Sequence, residues 1–248
     1  MGFNAVEAAL GSGRRRVERL FLEKGHHRGR VLRLKSLARS RSVPVEEVDR
    51  ARLERLAGGR PRSAHQGVIA SVAGVPYVQA EALLETPGPA ILLLLDGVED
   101  PRNLGALIRT AAAAGVAGVV LPDRRTAGLS DTTAKAAAGA LEQVPVSRVG
   151  NLVLFINSLK ENNFWVIGLH AGTDTMWDRA DYPSRMALVA GGEGRGLRRL
   201  VRERCDQIVS IPLAGGLESL NVSVAVGICL FEALRQRRAA GGTPAEPE

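Results

Sequence analysis

Three separate segments in the second half of the chain carry residue types that could do chemistry. The first contains Asn103, Gly105 and Arg109 at the start of a helical pattern. We expect Asn103 to be the N-cap of this helix, and Gly105 in the first turn to allow a close approach. Arg109 lies in an otherwise apolar stretch, where a lone charge would need a partner. An ordinary capped helix with a surface arginine is the alternative, and we favour a functional Arg109.

The second segment is the glycine-rich loop 191–196, which directly follows an apolar strand pattern. Its glycine spacing differs from the G-x-G-x-x-G of dinucleotide-binding proteins, which makes a Rossmann dehydrogenase a poor fit. Glu193 would repel a pyrophosphate, and the sequence has no Walker A lysine motif. A carboxylate in a loop that a ligand can approach closely suits a neutral or cationic ligand. A tight strand-to-helix turn is the alternative interpretation.

The third segment, residues 211–223, leads into a nearly all-apolar helical stretch. Ser219 and Asn221 are the polar residues at the start of that stretch. Helix capping by either side chain is one interpretation. A polar group held at the mouth of a ligand site is the other.

The elements that position these segments follow a strand-then-helix alternation from residue 90 onward. Six apolar runs predict strands, at 90–95, 118–121, 144–149, 164–169, 186–190 and 208–213. Helical patterns lie between and after them, at 104–115, 132–141, 151–161, 197–204 and 222–238. Strands that are apolar on both faces predict a parallel sheet covered on both sides. In such sheets ligands bind at the carboxyl ends of the strands, where all three segments start.

The chain of 248 residues divides by composition into four parts. Residues 1–75 form short, arginine-rich helix and strand patterns, which predict a small α/β domain. Residues 76–89 read as a linker with one or two helical turns, because proline and glycine interrupt them. Residues 90–238 are the α/β domain, and 239–248 are a glycine- and proline-containing tail that we expect to be disordered.

The excess of basic residues points to a polyanionic partner. Lysine and arginine number 33 against 26 aspartate and glutamate, a net charge of +7. Arginine is concentrated in the first domain, and its planar fork suits phosphate. Aromatic residues are only 4% of the chain, so backbone and shape recognition of nucleic acid is favoured over base stacking. The candidate contacts are Arg14, Arg15, Arg16, Arg28, Arg30, Arg33 and Arg62.

Other classes of protein are disfavoured. No apolar run approaches the ~20 residues that span a bilayer, and no leader pattern precedes the first domain, so we expect no membrane partner. The two cysteines form no C-x-x-C pair, which indicates a reduced, cytoplasmic location. The four histidines lack metal-ligand spacing, and we predict no metal site.

Taken together, the three segments resemble the SpoU/TrmH branch of the SPOUT methyltransferases. The matching pieces are N-x-G-x-x-x-R from Asn103 to Arg109, the glycine loop around Glu193, and Ser-Leu-Asn-Val-Ser from Ser219. The first 75 residues resemble the family's substrate-binding domain, which is akin to some ribosomal proteins, including its signature His65-Gln66-Gly67. Within this family, the chain most resembles the bacterial large-subunit rRNA guanosine-2′-O-methyltransferases.

The resemblance implies a fold, a cofactor and partners. It implies an α/β domain with a C-terminal trefoil knot, a homodimer formed through the knotted domains, and active sites completed by the neighbouring protomer. It implies S-adenosylmethionine as methyl donor and S-adenosylhomocysteine as product, without a metal, and an RNA substrate, rRNA in particular. The implied cofactor-binding residues are Gly191, Gly196, Ile211, Leu213 and Leu220.

The resemblance also implies catalytic roles for Arg109, Asn103, Glu193, Ser219 and Asn221. We expect Arg109 to hold the phosphate and the developing alkoxide, with Asn103 orienting it and the other three completing the network. Two other functions stay open at this point. One is a ribose methyltransferase acting on tRNA, although many such enzymes lack the N-terminal domain. The other is a non-catalytic RNA-binding protein that assists ribosome assembly.

Overall fold

The computed structural model describes residues 1–12, 17–25, 29–59, 62–192, 196–214 and 219–241. These residues form two compact units. The first contains residues 1–76 together with 138–143, and the second contains 77–137 together with the chain from Val144 onward. The short segment 138–143 thus groups with the N-terminal residues, although it interrupts the second unit in sequence.

The N-terminal unit is built on a three-stranded sheet with the order β2-β1-β3. The central strand β1 runs parallel to β2 and antiparallel to β3. The elements are α1 (Phe3–Ser12), β1 (Val17–Glu23), α2 (Gly29–Ser40), β2 (Val45–Val48), α3 (Arg50–Leu56), α4 (Arg62–His65) and β3 (Val68–Val72). Leu10, Leu20 and Leu34 are buried where α1 and α2 pack on the sheet. The unit is a small α/β domain, as the sequence predicted.

The second unit is built on a six-stranded, entirely parallel sheet with the order β6-β5-β4-β8-β7-β9. Its strands are β4 (Ala90–Asp96), β5 (Gly118–Pro122), β6 (Val146–Val149), β7 (Trp165–Leu169), β8 (Arg185–Gly191) and β9 (Gln207–Val209). Its helices are α5 (Glu81–Leu84), α6 (Pro101–Ala113), α7 (Asp131–Ala137), α8 (Leu152–Glu161), α9 (Arg199–Arg202) and α10 (Val222–Ala239). The predicted parallel sheet is confirmed.

The central strand β4 explains why this sheet is buried on both faces. Its five residues from Ile91 to Leu95 are each exposed by 1% or less. Leu92 and Leu94 belong to the apolar cluster that includes α8, while α10 packs against the neighbouring strand β8. A strand covered on both sides reads as a continuous apolar run, which is the pattern in the sequence. The register pairs Asp96 with Gly191, so β4 and β8 end together.

Helix α7 and strand β9 end four residues before their predicted boundaries, at Ala137 instead of 141 and at Val209 instead of 213. Helix α7 stops at Ala137 instead of continuing to Leu141, because Ala138 and Gly139 adopt positive φ angles of 50° and 99°. A 3-10 turn, Ala140–Glu142, follows. Strand β9 ends at Val209, so the predicted strand 208–213 contributes its last residues to a loop. That loop is available to a ligand because its backbone is not committed to the sheet.

The predicted linker 76–89 is not a free connection. The backbone N–H of Val78 donates to the carbonyl of Val146 at 2.9 Å, and Leu83 of α5 is buried. The predicted tail begins inside α10, which extends through Ala239, and its residues from 242 onward lie outside the described part of the chain. No described helix combines the length and apolarity needed to cross a bilayer.

Candidate functional site

The start of α6 differs from the sequence prediction in a way that matters for the site. Asp100, not Asn103, is the N-cap, and its carboxylate accepts a hydrogen bond from the backbone N–H of Arg102 at 2.7 Å. Pro101 occupies the first helical position, where its fixed φ favours the helix. The prediction that Asn103 caps the helix was therefore wrong. The Asn103 side-chain amide instead accepts a hydrogen bond from a residue that is distant in the sequence.

That contact is with Asn221, 118 residues further along the chain. The Asn221 side-chain amide donates to Oδ1 of Asn103 at 3.0 Å. Oδ1 of Asn221 accepts from the backbone N–H of Ser223 at 2.8 Å and from its hydroxyl at 2.6 Å. Because both hydrogens from Ser223 need an acceptor, the Asn221 amide can point only one way. Asn221 is thus both the N-cap of α10 and a donor to the first segment.

Arg109 lies two turns into α6, on the solvent side. The methyl group of Thr110 lies 3.5 Å from where a Cβ at Gly227 would be, so α6 and α10 run side by side in the same direction. Within the described residues of this one chain, the Arg109 side chain makes no hydrogen bond or ion pair, and the orienting role of Asn103 stays a prediction. The argument that a buried charge needs a partner does not apply, since this guanidinium is exposed.

Gly105 has a structural reason to be glycine. A Cβ there would lie 2.5 Å from the Cβ of Ala136 and 2.6 Å from the carbonyl oxygen of Thr133, both on α7. The close approach expected at this position is therefore between two helices of the same unit. Gly105 fixes where α6 starts and thereby where Asn103 stands.

The described residues of the glycine loop, Gly191, Gly192 and Gly196, lie in close contact with other residues at the carboxyl edge of the sheet. A Cβ at Gly191 would clash with the backbone of Gly196, and one at Gly192 would clash with the carbonyl oxygen of Gly97, each at under 3.0 Å. Gly196 has a φ of +60°, which favours glycine. The predicted catalytic residue Glu193 lies outside the described residues. Before it, Gly191 and Gly192 are required by the close approach of other backbone.

Asp96 and Arg198 fix this loop, and the sequence analysis missed both. The Asp96 side chain is buried at the end of β4 and accepts from the backbone N–H of Arg198 at 2.9 Å and from its Nε at 2.6 Å. The backbone N–H of Gly192 donates to the Asp96 carbonyl at 3.0 Å. The available signal was a carboxylate that ends a run of six apolar residues, since a buried charge needs a specific partner.

A histidine at the end of β7 was also missed. Nε2 of His170 lies 3.2 Å from Nη1 of Arg202 on α9. Burial, together with the charge of Arg202, lowers the pKa of His170, which keeps the ring neutral near pH 7. Arg198, just before α9, therefore contacts the end of β4 through Asp96. Arg202, the last residue of α9, contacts His170 at the end of β7.

The remaining predicted cofactor residues lie in the loop after β9 and before α10. Ile211, Leu213 and Leu220 are half-buried, and within the described residues their backbone N–H groups donate no hydrogen bond. Ser219 is exposed, two residues before the Asn221 cap. In the part of the chain that the structure describes, this loop thus offers backbone N–H groups without an acceptor, which suits a small polar ligand.

The N-terminal unit presents its arginines largely as ion pairs. Arg33 pairs with Glu7 at 2.8 Å and Arg62 with Glu23 at 3.1 Å, while Nη2 of Arg30 donates to the Asn4 side chain at 2.6 Å. The Arg33–Glu7 pair is exposed and contributes little stability, so a phosphate can replace its carboxylate. The predicted contacts Arg14, Arg15, Arg16 and Arg28 lie outside the described residues.

The His65-Gln66-Gly67 signature makes hydrogen bonds inside the N-terminal unit. The His65 ring is buried, and its Nδ1 accepts from the backbone N–H of Gly67 at 3.1 Å. The Gln66 side chain accepts from the backbone N–H of Phe3 at 3.3 Å, at the start of α1. In the part of the chain that the structure describes, no group of three or more His, Cys, Asp or Glu side chains could hold a metal ion.

Comparisons with known proteins bear on both units. Residues 90–231 match the model of the SpoU rRNA Methylase family, and residues 1–78 match that of the RNA 2′-O ribose methyltransferase substrate-binding domain. The 23S rRNA (guanosine-2′-O-)-methyltransferase RlmB of Salmonella typhimurium is 44% identical over 239 residues, 95% of this chain and 97% of the relative. The Pseudomonas aeruginosa protein of that name is 44% identical over 241 residues, 95% of each chain.

A solved rRNA methyltransferase structure is also similar to this chain. The AdoMet-bound rRNA methyltransferase from Sinorhizobium meliloti is 28% identical, with a TM-score of 0.79, and the match covers 94% of this chain and 84% of that one. The three segments singled out in the sequence all fall within the residues that match the SpoU rRNA Methylase model. The chain therefore belongs to the SpoU rRNA methylase family.

Proposed function

We propose that this protein transfers a methyl group from S-adenosylmethionine to the ribose 2′-hydroxyl of a guanosine in 23S rRNA, releasing S-adenosylhomocysteine and a proton. The observation that carries this proposal is the match over 95% of the chain to relatives named for that activity. A match of this extent includes the substrate-binding unit as well as the catalytic one. A cytoplasmic location follows from an rRNA substrate.

The residues at the carboxyl edge fit the cofactor. Gly191 and Gly192 lie so close to the backbone of Gly196 and Gly97 that only glycine fits, and this close backbone packing shapes the edge to which we assign the cofactor. The half-buried backbone groups of Ile211, Leu213 and Leu220 are not used in described hydrogen bonds, so they can receive the adenosine and methionine parts. When bound, S-adenosylmethionine supplies a methyl group made electrophilic by its sulfonium, so we propose a reaction without a metal.

The chain's own residues position the substrate. Arg109 is placed to hold a phosphate and to stabilise the oxyanion that develops on the ribose oxygen, and a guanidinium suits this role because it hardly ever releases its proton. Asn221 and Asn103, locked by Ser223, provide a rigid amide pair at the edge of the site. We assign Ser219 and Glu193 to the same network. Rigid placement supplies much of the rate acceleration in such transfers.

The N-terminal unit is the proposed RNA-binding arm. Arg30, Arg33 and Arg62 are exposed, and their carboxylate or amide partners are on the same unit. We propose that RNA phosphates take over these guanidiniums, and that Arg14, Arg15, Arg16 and Arg28 also contact RNA. The presence of this unit favours rRNA over tRNA as substrate, since it is the part that many tRNA enzymes of this kind lack.

We also propose that the second unit carries the family's trefoil knot and forms a homodimer. The sheet order supports the knot, because β7 lies between β8 and β9 and the chain must cross back after β8. An apolar stripe on α10 supports the dimer: Val224 is 52% exposed, Phe231 is 50% exposed, and Ile228 lies between them at helical spacing. A second copy would bring its own Arg109 toward the Asn103–Asn221 pair.

Replacing Phe231 with glutamate tests the dimer. We expect Phe231→Glu to shift the molar mass in size-exclusion chromatography with light scattering from two chains to one, because a charge cannot be buried in an apolar contact. The matched control is Leu200→Glu on α9, where Leu200 is 55% exposed and the variant should keep the mass of two chains. A dimeric Phe231→Glu protein would show that this stripe is not the interface.

The reaction itself is tested by mapping ribose methylation on 23S rRNA from cells with and without this gene. We expect one guanosine to lose its 2′-O-methyl group and to regain it when the gene is restored. Purified protein with S-adenosylmethionine should then methylate rRNA but not tRNA. Unchanged rRNA methylation together with retained RNA binding would support the non-catalytic assembly function instead, and methylated tRNA would redirect the proposal to that substrate.

A further inference from the structure

His170 stands at the carboxyl edge of the sheet without a role in the proposed reaction. It directly follows β7, and its backbone N–H donates to the carbonyl of Val209 at 3.0 Å, which fixes the residue beside the end of β9. Its ring faces the glycine loop, since a Cβ at Gly196 would lie 2.7 Å from Nδ1. The side chain therefore lies next to the loop to which we assign the cofactor.

The neighbours of the ring determine which nitrogen carries the proton. Nε2 lies 3.2 Å from Nη1 of Arg202. A guanidinium only donates hydrogen bonds, so Nε2 must be the acceptor, and a neutral ring then carries its hydrogen on Nδ1. Nδ1 is buried and has no hydrogen-bond partner among the described residues. Arg202 thus forces a buried N–H donor to face the loop without an acceptor.

A buried donor is rarely left without an acceptor. Gly196 offers no side chain, and its backbone N–H, which donates to the carbonyl of Gly192 at 3.2 Å, is itself a donor. The adenosine part of S-adenosylmethionine, by contrast, carries ring nitrogens and ribose oxygens that accept hydrogen bonds. A bound cofactor would therefore supply the type of acceptor that the Nδ1–H of His170 lacks.

We propose that His170 is a positioning residue of the cofactor site, whose Nδ1–H donates a hydrogen bond to an acceptor on the adenosine part of S-adenosylmethionine. This inference rests on the proposed function, because it takes the glycine loop as the cofactor loop. In this arrangement Arg202 acts through His170 by fixing its tautomer.

Titration calorimetry of the full-length protein with S-adenosylhomocysteine, without RNA, tests this assignment. We expect His170→Leu to weaken binding by about tenfold, the effect of one buried hydrogen bond. His170→Asn retains a side-chain N–H near the position of Nδ1 and should restore affinity to within about threefold of wild type. Arg202→Ala should weaken binding because the tautomer is no longer fixed. Arg204→Ala, which removes the same charge from an exposed position nearby, should not.

The melting temperature of the ligand-free protein separates this role from a structural one. If the Nδ1–H already bonds to the protein, His170→Leu should lower the melting temperature without ligand, and Asn should restore it. That outcome, or unchanged affinity in His170→Leu, would overturn the assignment to the cofactor. Wild-type protein that fails to bind S-adenosylhomocysteine would instead contradict the proposed function.

Discussion

Arg109→Ala and Arg109→Lys should each lower kcat for rRNA methylation by roughly 10³-fold, a loss typical of removing a preorganised donor from a developing oxyanion. Lysine at position 109 should not restore kcat, because an ammonium cannot reproduce the bidentate contact of a guanidinium with phosphate. Arg109 is exposed and unpaired in the described part of the chain, so neither change should disturb folding. Single-turnover assays with saturating S-adenosylmethionine measure the effect.

The control for this prediction is Arg102→Ala, which removes an equal charge from an exposed position on the same helix. We expect this variant to keep its kcat, with any loss confined to RNA affinity. A fully active Arg109→Lys protein would refute the argument from the guanidinium fork. Activity in Arg109→Ala at the level of the Arg102 control would remove Arg109 from the site altogether.

The proposed homodimer allows Arg109 to come from either protomer. Within the described residues of one chain, Arg109 makes no hydrogen bond to Asn103 or Asn221, although the two asparagines are hydrogen-bonded to each other. If the partner's arginine completes the site, mixed dimers of Arg109→Ala with a variant defective in cofactor binding should recover activity. One of their two sites would then combine an intact glycine loop with an intact Arg109.

The parallel sheet was predictable because burial on both faces leaves a direct trace in the sequence. The run Ile91–Leu95 needs no tertiary information to be recognised as a strand, and its neighbours follow the same rule. The glycine loop was predictable for a related reason, since the backbone approach at Gly191 and Gly192 excludes every other residue type. These are local constraints, and a local pattern can reveal them.

The contacts that shape the site are not local, and the sequence could not supply them. Asn221 and Asn103 are 118 positions apart, and Asp96 and Arg198 are 102 apart. Capping preference alone did not distinguish Asp100 from Asn103, although Pro101 after Asp100 was a usable signal. Likewise, periodicity could not show that Arg109 points to solvent, because an apolar helix with one charge fits either a buried or an exposed arginine.

Gly192→Ala should reduce affinity for S-adenosylhomocysteine by about 10²-fold, because the added methyl group would overlap the carbonyl oxygen of Gly97 and that oxygen belongs to rigid backbone. To remove this overlap, the loop must move away from the end of β4. That movement also breaks the hydrogen bond from the Gly192 N–H to the carbonyl of Asp96. Titration calorimetry measures the affinity, and circular dichroism checks that the sheet is retained.

Gly150→Ala is the matched control, since Gly150 follows β6 and its added Cβ would find its nearest neighbour at an ordinary 3.8 Å. It should bind like wild type. If Gly192→Ala also bound like wild type, the loop would not be the cofactor's cradle, and the proposed hydrogen bond from His170 would lose its basis. Loss of binding in Gly192→Ala with normal binding in Arg109→Ala would instead separate cofactor recognition from methyl transfer, as expected when the loop holds the donor and the arginine acts on the acceptor.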